Sequence, residues 1–449
     1  MSEETTPKAR DLIFPRLDSF LTSMRAIGDV EDFVKENAGS LDSVENSFAV
    51  QAKRFYPGLG MEIHRRAADY IHPMVHKHMD GVAALEERGA TQAELDEWKH
   101  SWDDNMKQRL AELTGEPEYF YKYARVWNRL GNSSVKTRLL RNSLLMAAVS
   151  DFEVLVSGLV RAFLTFKPEI LRSADTKYSF ADIEPFSTVD EFRHHAVENM
   201  ADMLLRGGFE DWMDWFDKKR KIRVEGVTDN ADALMEIFQR RHLLVHNGGV
   251  VNRFYLAKVS GDSVPAAGQV LGVSSKYLKR SLEELTVAGV KLALSLVMKL
   301  EPASDDMKVL NHQLHHIGFD FLTAESWHIA FRLNDWHLGF VDDSSTRLVA
   351  TVNKWVAQKH VAGSESIRLE VEKWDTTTLT DIYKLAKFAL LDQDDEAYAL
   401  VQSLIARDEL DLDDWRDWPV LEGVRSYEAA NVEERNRLWL ASFGDSHHH

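Results

Sequence analysis

Residues 231–249 read ADALMEIFQRRHLLVHNGG. Leu234, Ile237, Phe238, Leu244 and Val245 recur at the spacing of an amphipathic helix. Asn247, Gly248 and Gly249 follow, residue types that tolerate the left-handed backbone on which helices stop. Arg241 and His246 stand just before that stop, with four residues between them. Arginine stays charged and can fork two hydrogen bonds to a phosphate. An imidazole gives and takes protons near neutral pH, and the partial negative charge of a helix C-terminus favours its protonated form. The pair is therefore a candidate for acid/base chemistry on a phosphodiester. Positions five apart lie about 140° apart around a helix, so one chain's pair does not face one point. Either the helix end is distorted or a second chain completes the site, and a two-fold axis beside this helix would do so. The bland alternative is a buried Arg241 paired with Glu153, and a His246 that merely caps the helix.

Elsewhere the pattern is mostly helical, with breaks at 53–60 and 115–117 and a loop-like, polar stretch over 173–189. Helices are expected over about 61–88, after Thr91, where Thr91-Gln-Ala-Glu94 has capping-box form, and over 135–166, 189–205 and 278–300. Leu145, Ala148, Phe152, Leu155, Leu159 and Phe163 mark the buried stripe of the 135–166 helix, with Glu153 beside it. Lys218, Lys219, Arg220, Lys221 and Arg223 form a dense basic run, which reads either as a solvated face or as a substrate-binding one. The neighbouring Trp212 and Trp215 read as core, or as platforms for bases. Val250–Leu256 and Gln269–Val273 look β-like, and predict a small hairpin. Glu301-Pro-Ala-Ser-Asp-Asp306 reads as a linker. The expected organisation is all-α in three parts: 1–130, 135–300 and an acidic 307–445, with 446–449 an affinity tag.

The formal net charge of the 449 residues is −18, which argues against broad, non-specific nucleic-acid binding. The charge is uneven. From Glu301 onward there are 28 acids and 14 bases, whereas 135–300 holds 23 bases and 21 acids. The acidic tail, with Trp415 and Trp418 in it, suits a protein contact. Cysteine is absent, so disulfides and thiolate metal sites are excluded. The N-terminus has no apolar signal core, and no run is read as long enough to span a bilayer; a cytoplasmic protein is expected.

The helix bearing Glu153, the helix ending Arg241-His-Leu-Leu-Val-His246-Asn247 and the closing helix after a short hairpin together resemble the HEPN superfamily over roughly residues 135–300. That family is a four- to five-helix bundle, whose signature is an Arg and a His four to six residues apart. The resemblance implies a metal-independent endoribonuclease in which the ribose 2′-hydroxyl attacks the adjacent phosphate. Its site is built from the motifs of two protomers, and its role is that of a toxin or antiviral effector. It implies that Arg241 steadies phosphate charge, that His246 moves protons and that Asn247 and Glu153 orient them. Arg240 also fits the spacing, and His242 lies one turn before His246, so the motif's members are not unique. No cofactor is implied. The alternative is a non-catalytic bundle that binds RNA or protein. His72, His76 and His78, and likewise His312, His315 and His316, have helical metal-like spacing without an acidic cluster, and no metal is expected at either.

Overall fold

In the computed structural model, the described residues are 8–130, 135–172, 178–224, 226–227, 229–260 and 265–432. The first third of the chain comprises α1 (Ala9–Glu36), α2 (Ala38–Asp42), α3 (Val44–Phe55), α4 (Met61–Glu87), α5 (Gln92–Thr114) and α6 (Tyr119–Leu130). The middle comprises α7 (Lys136–Phe166), α8 (Glu169–Arg172), α9 (Phe180–Ile183), α10 (Val189–Leu205), α11 (Phe209–Asp214), α12 (Ala231–His246), α13 (Arg253–Lys258) and α14 (Ser275–Leu300). The remainder comprises α15 (Ser304–Thr323), α16 (Trp327–Leu338), α17 (Ser344–Ala362), α18 (Glu365–Lys373), α19 (Asp381–Leu390), α20 (Asp394–Ala406) and α21 (Leu412–Asp417). The described chain is all-helical and contains no strand.

Local chemistry sets many of these ends. Thr91 and Glu94 form the expected capping box at the start of α5, and Gly115, at φ +80°, stops that helix. Ser43 caps α3 and Asp343 caps α17 through side-chain oxygens.

The chain divides into two compact units, each drawn from distant stretches. One holds residues 1–22, 150–238 and 281–449; the other holds 23–149 and 239–280. The boundaries fall inside α1, α7, α12 and α14, so each of these helices contributes to both units.

The first unit is built on aromatic packing. Phe152 meets Phe20 and Phe238 edge-on at 6.0 and 5.8 Å, and Phe238 stacks on Phe209 at 5.2 Å. The stripe expected on α7 is buried from Leu145 to Phe163. This helix corrects the reading that no run is long enough to span a bilayer. Lys136–Phe166 is long and apolar enough to cross a membrane, and 56% of its most apolar window is buried inside the protein. Buried charges are paired: Glu284 on α14 accepts from Arg332 at 2.7 Å and from Asn230 at 2.8 Å, and Lys291 meets Asp229 at 3.0 Å. The 301–306 segment is pinned rather than free. The backbone N–H of Arg10 donates to Glu301, and its guanidinium donates to Asp306 at 3.0 Å.

His337, on α16, is buried, with its Nε2 3.2 Å from Asn311 Oδ1 on α15. Burial pushes its pKa down to about 4, with the charges of His315 and Arg347 adding to the effect. An unfolded histidine titrates near 6.5, so between these values the unfolded chain binds the proton that the folded one refuses. Stability is therefore full above about pH 6.5 and falls as pH drops toward 4, by up to about 3 kcal/mol from this group. Urea melts at pH 7.5 and 4.5 should show that extra loss in the wild type and its removal in His337→Gln.

The second unit has its main core on α3 to α6, where Phe48, Ala52, Ala67, Ile71, Leu110 and Tyr123 are buried together. His64 is buried there, with Nδ1 2.9 Å from the Tyr123 hydroxyl; burial lowers its pKa. A smaller cluster of Leu243, Val251 and Tyr255, with Leu256, Val259 and Leu271 around it, joins the end of α12 to α13.

This small cluster overturns the expected hairpin. Val250 and Val270 make one isolated antiparallel bridge. Beyond it, Val251 and Tyr255 are buried while Arg253 and Phe254 are exposed, a burial period of four rather than two. The Asn252 side chain accepts from Tyr255 N–H at 2.9 Å and starts a helix where a strand was expected. The tip of the expected hairpin, 261–264, lies outside the described residues.

Candidate active site

The end of α12 is fastened by its own backbone. Asn247 N–H and Gly249 N–H both donate to the Leu243 carbonyl, at 2.8 and 3.0 Å. Gly248 and Gly249 take φ of +59° and +80°. Asn247 Nδ2 donates to the Val250 carbonyl at 2.6 Å, so its amide closes the turn that follows His246. Leu234, Ile237 and Phe238 are buried as expected. Near the end of the helix the buried position is Leu243; Leu244 is half-buried and Val245 is exposed.

The exposed face of this last turn carries His242 and His246, with ring centroids 4.7 Å apart and the planes at 47°. Residues four apart lie about 40° apart around a helix, which is why these rings meet while Arg241 and His246 diverge. Arg241 is half-buried. Its neighbour Arg240 donates from Nη1 to the Gly272 carbonyl at 2.9 Å and stacks over Tyr277 at 3.9 Å, so it holds α12 against the start of α14. Sequence reasoning treated His242 as a complication of the motif; its four-residue spacing from His246 was the signal that the two imidazoles share one face.

The other expected site residues belong to the first unit. Glu153 is half-buried on α7. The basic run follows α11 through a π-helical turn at Trp215–Lys219. Lys218 pairs with Asp214 at 2.8 Å, and this carboxylate raises its pKa. Arg220 lies 4.9 Å over the Trp215 ring, and burial lowers its pKa. Lys219, Lys221 and Arg223 are exposed, with Lys221 at φ +58°. Trp212 and Trp215 are core: both are buried, Trp212 Nε1 donates to the Leu204 carbonyl, and Trp215 packs edge-on against Phe163. Neither is open to a base.

Among the histidines with metal-like spacing, His72 Nδ1 is bonded to Glu45, and its Nε2 lies 3.1 Å from Nε2 of His76. His78 packs against the Trp102 ring instead, with centroids 4.5 Å apart and the planes tilted by 36°. His312 and His316 pair at 3.1 Å. Among the described residues, no group of three or more His, Cys, Asp or Glu side chains is placed to hold one metal ion.

The end of α12 thus places two adjacent imidazoles on one exposed face, with the half-buried Arg241 in the same helical turn. Compared with known proteins, the chain matches no family model, no curated protein and no solved structure.

Proposed function

We propose that this chain is a metal-independent endoribonuclease of the HEPN kind. The observation that carries the reading is the exposed His242/His246 pair beside Arg241, on a helix end held by Asn247 and two left-handed glycines. RNA brings its own nucleophile, so cleavage requires proton transfer and anion stabilisation. One imidazole takes the proton of the 2′-hydroxyl, and the oxygen attacks the adjacent phosphorus. The 5′-oxygen bond breaks, and the second, protonated imidazole supplies the leaving alcohol with its proton. The products are a 2′,3′-cyclic phosphate and a 5′-hydroxyl. Arg241 stabilises the extra negative charge on phosphorus as it develops.

Because Arg241 and His246 diverge around α12, the site is composite: the histidines of one protomer work with Arg241 of another across a two-fold axis. The family resemblance further implies a toxin or defence effector, with the acidic C-terminal helices contacting a protein partner.

Incubation with total RNA in EDTA tests the reaction. The wild type should cleave and leave cyclic phosphate ends, and no cleavage would favour the non-catalytic bundle that binds RNA or protein. A mixing experiment tests the composite site. Arg241→Ala and His246→Ala are each inactive, but a randomly exchanged mixture contains dimers with one intact site, which restores about a quarter of wild-type activity. A mixture as inactive as its components would sink the two-chain arrangement, as would a strict monomer by light scattering with RNA present.

A further inference from the structure

The basic run at 218–223 is not the only cationic part of the chain. Residues 239–280 contain seven bases, Arg240, Arg241, Arg253, Lys258, Lys276, Lys279 and Arg280, and one acid, Asp262. That segment carries +6 in a protein of −18, leaving −24 for everything else. A stretch this biased attracts polyanions that the carboxylate-rich remainder of the chain repels.

The structure brings Arg240 of this segment and Arg138 of α7 to one turn. Gly272 is the meeting point. Its carbonyl accepts from Arg240, and a Cβ placed on it would lie 3.6 Å from Arg138 Cδ, so the Arg138 side chain from the start of α7 runs alongside. Val273 N–H donates to Asn142 on the same helix at 3.1 Å, which fixes α7 and the start of α14 together. Lys276, Lys279 and Arg280 then follow at three- and four-residue spacing, on one exposed face of α14. Among the described residues, no carboxylate pairs with Arg138, Lys276, Lys279 or Arg280. On either side of Arg138 in α7, Arg141 is paired with Glu31 and Thr137 with Asp42. The small cluster of Leu243, Val251 and Tyr255 also presents Phe254, which is 78% exposed, one residue from the exposed Arg253.

We infer that Arg138, Lys276, Lys279 and Arg280 form a phosphate-tracking face for single-stranded RNA, with Phe254 as a base-stacking platform. Unpaired cations grip a backbone without reading sequence, and an exposed aromatic ring suits unstacked bases better than a duplex. The inference rests on the nuclease reading for its choice of RNA, and it locates substrate binding in the same unit as His242 and His246, whereas residues 218–223 belong to the other unit.

Anisotropy of a labelled, fully 2′-O-methylated 12-nucleotide RNA reads binding without cleavage, so failure of the chemistry and failure of this face remain distinct. The full-length wild type should bind with steep salt dependence. Lys276→Glu/Lys279→Glu/Arg280→Glu should weaken binding at least about tenfold and flatten the log–log salt slope by about 2. Phe254→Ala should weaken it about tenfold at an unchanged slope. Lys218→Glu/Lys219→Glu should bind like the wild type. If the triple reversal unfolds, Lys276→Gln/Lys279→Gln carries the same comparison. Equal binding by wild type and the 276–280 variants overturns the assignment, as does loss confined to the 218/219 variant. A wild type that binds no RNA, or that prefers heparin or the DNA of the same sequence, overturns it too.

Discussion

His246→Ala should reduce the rate of RNA cleavage by about 10²- to 10⁴-fold, the range that a positioned proton-transfer group contributes. His242→Ala should fall in the same range, because transphosphorylation moves two protons at opposite ends of the scissile phosphate and each imidazole serves one. The two effects should not add. Once either proton carrier is gone, the other acts on a reaction already limited elsewhere, so the double variant should be little slower than the slower single one. Both rings are exposed. Their removal should leave thermal unfolding within about 0.5 kcal/mol of wild type, which separates a chemical loss from a folding one. Initial rates on a fluorogenic oligoribonucleotide, measured alongside the melts, give both readouts. Unaltered cleavage by His242→Ala would restrict the proton chemistry to His246 and its partner protomer.

Gly249→Ala should cost about 3–5 kcal/mol, while Gly248→Ala costs about 1. The two glycines are adjacent, and both have positive φ, so backbone strain alone does not distinguish them. Their surroundings do. A Cβ on Gly248 meets nothing within 4 Å, whereas one on Gly249 would lie 2.5 Å from the Leu271 carbonyl oxygen. That oxygen belongs to backbone, and Leu271 N–H donates to the Gly249 carbonyl at 2.8 Å, so neither side can yield without losing the bond. The consequence reaches the site. The Gly249–Leu271 contact adjoins the Val250–Val270 bridge and the Gly272 carbonyl that Arg240 holds. Gly249→Ala should therefore lose both stability and cleavage, and Gly248→Ala should keep cleavage near wild type below its melting temperature. Comparable melts for the two variants would show that the contact with Leu271 does not constrain the turn.

Much of the helical architecture was legible from residue order. The capping box at Thr91, the stop at Gly115, the buried stripe of α7 and the end of α12 at Asn247 all follow from local propensity and spacing, and the structure has each of them. The failures came where local signals compete. Val250–Leu256 is rich in β-branched and aromatic residues, but Asn252 can cap a helix, and burial of Val251 with Tyr255 against Leu243 chose the helical period. Trp212 and Trp215 were open to two readings, because an aromatic side chain looks the same in sequence whether it packs or waits for a base; their burial settled it.

The sequence by itself determined that this is an all-helical chain with an imidazole and a guanidinium at the close of one helix, because helix periodicity and stop signals act over a few residues. The tertiary structure decided which neighbours those groups keep. Arg240 is committed to Gly272 and Tyr277, and Arg138 of α7 runs alongside Gly272 just ahead of α14. Those partners lie 30 to more than 100 residues apart in the chain, and which of them meet is fixed by how the helices pack, which local sequence does not encode.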